Sequence, residues 1–214
     1  MMSVDQVRKF VEMSVDQRIV WEQIAVLGGE PTLNPQLPQI VEVLLEFKRR
    51  HSANTRIVLV TNGYGQHTAG VLGQLSQEIE IKNTAKQFSA TDSERFHYFN
   101  LAPLDSPFYR YSDFTNACEV AFDCGMGLTP FGYYPCAIAG GIDRVFGFDL
   151  GRKTFPAHDD RMREELRTFC GLCGLFGCNT KIPMLKRHLQ ERRSKRWRTA
   201  YERYLESVPT LTRY

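Results

Sequence analysis

The sequence predicts an α/β fold that continues into a cysteine-rich region and a terminal helix. Two observations carry this expectation. Short apolar strands alternate with amphipathic helices in the first half, and all six cysteines fall between Cys118 and Cys178. Apolar strands separated by helices are typical of a parallel sheet that helices cover. We therefore expect an α/β part over residues 1–87, a crossover and metal-binding region over 88–180, and a basic helix over 181–214.

Composition is that of an ordinary soluble globular protein. The 214 residues are 43% hydrophobic and 24% charged, and the formal net charge is only +3. No apolar run approaches the length of a membrane span. Residues 1–20 mix charged with apolar residues and contain no hydrophobic signal core. We therefore expect a cytoplasmic protein that has no membrane partner and lies in a reducing compartment.

The first half is predicted as strands and helices in alternation. Apolar residues at helical spacing mark the helices, and short runs of Ile, Val and Leu mark the strands. Asn34 before Pro35 predicts an N-cap with proline at the first helical position. In chain order we expect a helix over 2–19, a strand over 24–27, a helix over 35–50, a strand over 56–60, a short helix over 69–75 and a strand beginning at 79–81.

The second half is predicted to be less regular. Residues 88–113 are rich in aromatic residues and are expected to form a loop that crosses into the cysteine-rich region. Residues 128–136 indicate a hairpin with Thr-Pro-Phe-Gly at its turn. A short helix over 161–169 would deliver Cys170, and a long helix is expected over 181–206. Its basic residues are interpreted as a solvated face, so nucleic acid is not an expected partner.

The cysteine spacing favours a metal site over disulfides. Cys170 and Cys173 form a Cys-x-x-Cys pair, and glycines surround the cysteines. In a reducing compartment such spacing is typical of metal binding. Iron–sulfur clusters take four cysteine thiolates, and structural zinc takes four ligands. The residues by themselves leave both open.

Polar motifs follow the first two predicted strands. The first strand runs into Gly28-Gly29-Glu30-Pro31-Thr32, and the second ends in Thr61-Asn62-Gly63. Ligands of α/β folds bind at the carboxyl ends of strands. The two glycines would let a ligand approach the backbone, Glu30 would hold an ammonium group, and Asn62 would bind a ribose hydroxyl or a carboxylate. The alternative is that the first motif is only a strand-to-helix turn.

Together these motifs and the multi-cysteine region resemble the radical S-adenosylmethionine (SAM) superfamily. The region with Cys124, Cys136, Asp143-Arg144-Val145-Phe146-Gly147 and Cys170-x-x-Cys173 resembles the auxiliary-cluster region of the SPASM/twitch group. The resemblance covers roughly residues 2–178. It implies a partial (β/α) radical-SAM-type barrel over residues 1–87. It also implies SAM contacts at Gly28, Gly29, Glu30 and Pro31, with Asn62 and Thr84 beside the SAM.

For the cysteines the resemblance implies an auxiliary [4Fe–4S] cluster. The ligand set that it implies is Cys118, Cys136, Cys170 and Cys173, with Cys124 competing for a place and Cys178 as the spare. The partners that it implies are an unknown substrate, either a peptide or a small molecule, and an electron-donor protein.

The sequence departs from this family in one decisive respect. The family's Cys-x-x-x-Cys-x-x-Cys loop belongs before the first helix, and no cysteine precedes Cys118. We therefore expect a truncated or degenerate member that is inactive in SAM cleavage as it stands, with weak or lost SAM binding. The alternatives are a non-enzymatic iron–sulfur or zinc protein with an electron-transfer or structural role, and an RNA-associated metal module supported only by the basic run.

Overall fold

The computed structural model describes residues 1–84, 99–116, 118, 121, 125–176 and 193–214, together with the backbone of 95–97 and 181–183. Contacts divide the chain into two units, Met1–Ser89 and Ala90–Tyr214. The first unit is mixed α/β, as predicted, and the second contains short strands and helices. Among the described residues, no helix combines the length and the apolar character needed to cross a bilayer.

A small parallel sheet is the centre of the first unit. Strands β1 (Gln23–Val26), β2 (Arg56–Thr61) and β3 (Glu80–Asn83) pair in the order β1-β2-β3. Helices α1 (Val4–Asp16), α2 (Leu37–His51) and α3 (Gln66–Leu72) alternate with the strands. The predicted parallel arrangement is confirmed. The described strands form an open three-stranded sheet, and the described residues contain no closed barrel.

Local chemistry explains where the first two helices begin. Ser3 and Gln6 form a capping box, in which the Ser3 hydroxyl accepts from the Gln6 amide at 3.2 Å, so α1 begins at Val4. The predicted start of α2 is wrong by two residues. The Asn34 Oδ1 accepts from the Gln36 backbone N–H at 3.1 Å, which closes a turn over residues 34–36, and α2 begins after that turn at Leu37.

Among its described residues, the second unit contains two antiparallel strand pairs and three helices. Strand β4 (Arg95–His97) pairs with β7 (Lys181–Pro183), and β5 (Gly127–Thr129) pairs with β6 (Gly132–Tyr134). The helices are α4 (Ala137–Phe146), α5 (Arg163–Cys170) and α6 (Lys195–Glu206). The predicted hairpin is confirmed at β5–β6, and the predicted short helix is confirmed at α5.

Two expectations for the second unit need correction. The helix predicted over 181–206 is confirmed only from Lys195 to Glu206, because residues 181–183 form strand β7 and residues 184–192 lie outside the described part of the chain. Pro183 lies in that strand, and proline is strongly unfavourable in a helix interior. The described part of residues 88–113 is more regular than a loop, since it includes β4 and 3-10 turns at Pro103–Asp105 and Pro107–Tyr109. Helix α4 was not predicted.

The core of the second unit brings the hairpin and the helices together. Tyr134, Ile142, Phe169 and Trp197 are buried in one cluster with Cys173, against which Cys118 and Cys136 also pack. The Tyr134 hydroxyl donates to the buried Asp143 carboxylate at 2.7 Å. This bond ties β6 to α4 and so fixes the segment that contains Cys136.

Candidate metal centre and strand-end site

Four cysteines from three separate segments line one small cavity in the second unit. Cys118 follows the 3-10 turn Phe114–Asn116, Cys136 immediately precedes α4, Cys170 ends α5, and Cys173 lies three residues beyond it. Cys170 and Cys173 are buried, whereas Cys118 and Cys136 are partly buried. The structure therefore brings together the four cysteines that the sequence resemblance groups. Cys124 and Cys178 lie outside the described residues.

The surroundings of the four thiols are apolar. Ile138, Ile142, Leu166 and Phe169 are among the other residues that line the cavity. Burial raises the pKa of the Cys170 thiol to about 12, and the nearby Cys136, Cys173 and Cys118 act in the same direction. Without a cation, thiols with a pKa as high as that of Cys170 keep their protons at neutral pH. A bound metal would displace these protons, because thiolates are the ligand form.

Cys173 also receives hydrogen bonds from the backbone. Burial raises the pKa of its thiol to about 12, while N–H groups of Leu175 and Phe176 hydrogen bond to its sulfur and oppose this rise. Hydrogen bonds to cysteine sulfur are one of the features by which proteins set the reduction potential of iron–sulfur clusters. In donor type and number, the four cysteines fit a centre with four thiolate ligands.

The described residues do not form a ready-made site for a metal ion. Within that part of the chain, no group of three or more His, Cys, Asp or Glu side chains meets the geometry of a metal-ion site. The cavity between the thiols is about 10 Å³ in volume. A void of this size corresponds to about one water-sized sphere, so a larger group would require the cysteine segments to move apart.

The second candidate site lies at the carboxyl ends of β1 and β2, where Glu30 joins the two strand ends. Its Oε1 accepts hydrogen bonds from the Thr32 amide at 3.1 Å, the Thr32 hydroxyl at 2.8 Å and the Thr61 hydroxyl at 2.9 Å. Its Oε2 accepts from the Asn62 amide at 2.9 Å. A carboxylate offers about four acceptor positions, so these bonds use most of its capacity. Glu30 is therefore first of all a brace between two loops.

This network keeps Glu30 charged. Partial burial of the carboxyl opposes its ionisation, yet hydrogen bonds from Asn62, Thr32 and Thr61 outweigh burial and hold the pKa of Glu30 below its ordinary value of 4.5. Carboxylates that accept several backbone N–H bonds are known to behave in this way. At neutral pH the strand ends therefore contain one fixed negative charge.

The glycines at these strand ends lie in different environments. Gly28 and Gly29 are exposed, and a Cβ at either position would have no neighbour within 4 Å, so their backbone is open to a ligand. Gly63 has a φ of +64°, and a Cβ there would lie 2.1 Å from the Asn83 side chain. Glycine is thus needed at position 63 by conformation and by close packing. Pro31 is buried in the turn.

The other predicted residues of this site support the backbone. The Asn62 Oδ1 accepts from the Tyr64 amide at 2.8 Å, which closes the turn after β2. Both the amide and the hydroxyl of Thr84 donate to the Thr61 carbonyl at 2.9 Å. Thr61, for which no role was predicted, is therefore the centre of this network. Its place as the last residue of a buried strand before Asn-Gly was the available sequence signal.

Two further residues near the strand ends were missed. The Thr68 hydroxyl lies 3.1 Å from that of Thr32, and the His67 Nε2 lies 3.1 Å from the Thr32 carbonyl oxygen. Both come from α3, which begins only after the Asn-Gly turn. Their pairing with Thr32 depends on how α3 packs against the turn, so no local pattern predicted it.

Comparison with known proteins identifies no relative of this chain. The chain matches no protein-family model, no curated protein sequence and no solved structure. The resemblance to the radical SAM superfamily therefore rests on its motifs alone and stays a prediction.

Proposed function

We propose that the second unit binds an auxiliary [4Fe–4S] cluster through Cys118, Cys136, Cys170 and Cys173. The observation that carries this proposal is the convergence of these four cysteines on one apolar cavity. Cysteines scattered through a core for packing alone have no reason to meet, whereas four thiolates are the ligand set of such a cluster. When bound, the cluster would supply one-electron transfer or a site for substrate binding.

The chain's own residues would control the environment of that group. Apolar walls formed by Ile138, Ile142 and Phe169 would exclude water, and the N–H groups that reach the Cys173 sulfur would stabilise the thiolate. Each of these features is a protein contribution that tunes iron–sulfur centres.

We further propose that the chain is a radical SAM family protein. Two features of the first unit support this. The sheet is parallel, and the exposed Gly28-Gly29 backbone lies at a strand end beside the charged Glu30. Because no cysteine precedes Cys118, we expect weak SAM binding and no cleavage of SAM by this chain.

Anaerobic reconstitution with ferrous iron and sulfide tests the cluster. We expect a brown protein with about four irons and four sulfides per chain, the composition of a [4Fe–4S] cluster. Cys170→Ser should lose most of this iron. Cys178→Ser is the matched control and should retain it, because Cys178 is the predicted spare. A colourless protein that binds one zinc per chain and no iron would refute the cluster.

A non-enzymatic zinc protein is the second candidate, and the size of the cavity favours it. A volume of about 10 Å³ suits a single ion with less rearrangement than a four-iron cluster needs. Four thiolates also form a standard structural zinc site. The metal content after purification, with iron and zinc measured on the same sample, separates the two candidates.

A further inference from the structure

The loop between Cys170 and Cys173 is held by hydrogen bonds from residues distant in sequence. Its two internal carbonyls belong to Gly171 and Leu172. The Leu104 amide donates to the Gly171 oxygen at 3.1 Å, and the Trp197 indole N–H donates to the Leu172 oxygen at 2.7 Å. Both carbonyls that separate the two cysteines are therefore fixed from outside the loop.

The residue that follows the loop is held in the same way. The Gly174 amide donates to the Phe99 carbonyl at 3.0 Å. Within the loop, the Cys173 amide donates to the Cys170 carbonyl at 3.2 Å. A Cβ at Gly171 would lie 2.8 Å from the Leu104 side chain, so the approach of the two segments is already close.

The two segments that hold the loop are also bonded to each other. The Ala102 amide donates to the Ser194 hydroxyl at 2.9 Å, and the Ser194 amide donates to the Asn100 carbonyl at 3.1 Å. The Arg196 amide, in the first turn of α6, donates to the Asp105 carboxylate at 2.8 Å. Residues 99–105 and 194–197 thus form one bonded structure, which we call the collar.

Trp197 connects the collar to the core. Its side chain is only 4% exposed, and its ring packs edge-to-face on Phe146 with centroids 5.0 Å apart. Tyr201 packs beside it at 5.3 Å. A ring held on both sides has little freedom to rotate, so its N–H direction is determined. A buried indole N–H and a buried carbonyl satisfy each other, and losing either would leave the other without its partner.

We propose that Trp197 is a positioning residue for the metal centre. Through the Leu172 carbonyl it holds the Cys170–Cys173 loop in the conformation in which both cysteines line one cavity with Cys118 and Cys136. The identity of the bound group rests on the function proposed above, whereas the loop geometry does not. Metal binding and the docking of α6 are then linked, and each stabilises the other by the same free energy.

The test is Trp197→Phe, which keeps an aromatic ring and removes the N–H. Trp21→Phe is the matched control, because the Trp21 indole also donates one hydrogen bond, to the Ser14 hydroxyl at 3.0 Å, but lies in the first unit. In metal-free protein, the Cys173 and Gly174 amides should exchange with deuterium about tenfold faster in Trp197→Phe, the effect of losing one buried hydrogen bond. Trp21→Phe should leave both amides unchanged.

The metal-loaded protein gives a second readout. Trp197→Phe should release its metal to a chelator about tenfold faster and shift the visible circular dichroism of the reconstituted centre. Unchanged exchange and an unchanged spectrum would overturn the proposal, even if the variant unfolds at a lower temperature.

If Trp197→Phe does not fold, Ser194→Ala is the deciding variant. It removes one hydrogen bond within the collar and should speed amide exchange at Gly174. If the wild-type protein does not bind iron, the cluster is refuted. The amide exchange of Cys173 and Gly174 in metal-free protein would still test whether the collar holds the loop.

Discussion

The two candidate sites satisfy their polar groups in opposite ways. At the strand ends of the first unit, Glu30 is a charged acceptor to which Thr32, Thr61 and Asn62 donate. In the second unit, four thiols line an apolar cavity, and burial favours the neutral form of Cys170 and Cys173. The first site is complete within the chain, whereas the second has the composition of a site that a metal would complete.

This difference indicates which site depends on a ligand for its stability. A carboxylate with most of its acceptor positions filled gains little from an added ammonium group, and the loops around it are already joined. Two buried and two partly buried thiols gain much from a metal, because binding converts them to thiolates and links three segments of the chain. We therefore expect the second unit to respond strongly to metal and the first unit to be largely indifferent.

Replacing a ligand cysteine should have the largest effect, and it should destabilise the second unit alone. In metal-loaded protein, Cys173→Ser should speed amide exchange over residues 125–176 at least about a hundredfold, because metal binding contributes much of the folding free energy of small metal-binding regions. Residues 24–60 should keep wild-type exchange. Hydrogen exchange with mass spectrometry measures both regions at once. Equal acceleration of amide exchange in both regions would contradict the expectation that the metal stabilises mainly the second unit.

Glu30→Ala is the corresponding change in the first unit. It removes the acceptor of four hydrogen bonds, so we expect it to destabilise this unit by about 1.5–3 kcal/mol, the typical value of a hydrogen bond to a charged group. It should also abolish the weak SAM binding expected of residues 28–31, because Glu30 joins the loop that contains them to the next strand end. Calorimetry can measure this loss. Trp21 fluorescence during denaturation reports on the first unit, in a Trp197→Phe background.

Glu78→Ala is the control for that variant. Glu78 also accepts from a partner, Arg49, but in an exposed ion pair outside the strand ends. Exposed ion pairs contribute little to stability, so this variant should resemble the wild type in both stability and SAM affinity. Wild-type stability in Glu30→Ala would refute the role of Glu30 as a brace. Lost stability with unchanged SAM affinity would instead refute its part in the SAM site.

The smallest effect concerns pH. The pKa of Glu30 is lowered in the folded protein, so its stabilising contribution is present above the ordinary value of 4.5 and is lost as the pH falls through the folded value. The unfolding free energy of the first unit should therefore fall more steeply with acid in the wild type than in Glu30→Gln, which does not titrate. Trp21-detected denaturation at several pH values below neutrality measures this. Parallel pH profiles for the two proteins would contradict it.

Elements that depend on local pattern were predictable. The strands of the first unit follow from short apolar runs, and the β5–β6 hairpin follows from Thr-Pro-Phe-Gly between two short strands. Boundaries were less predictable, since Asn34 closes a turn ahead of α2 and does not cap the helix itself. The helix prediction over 181–206 was wrong at residues 181–183, which pair with β4 as strand β7, a contact with a segment distant in sequence.

The sequence by itself determined the types of residue at the two sites: a Gly-Gly-Glu-Pro motif after one strand, an Asn-Gly turn after another, and six cysteines in one region. Only the tertiary structure decided what these residues contact. Glu30 became a brace because Thr61 and Asn62 lie beside it across the sheet, and Trp197 reached Leu172 because α6 packs into the core of the second unit. Such contacts join residues far apart in the chain. Their distances are set by packing, which a local sequence pattern does not describe.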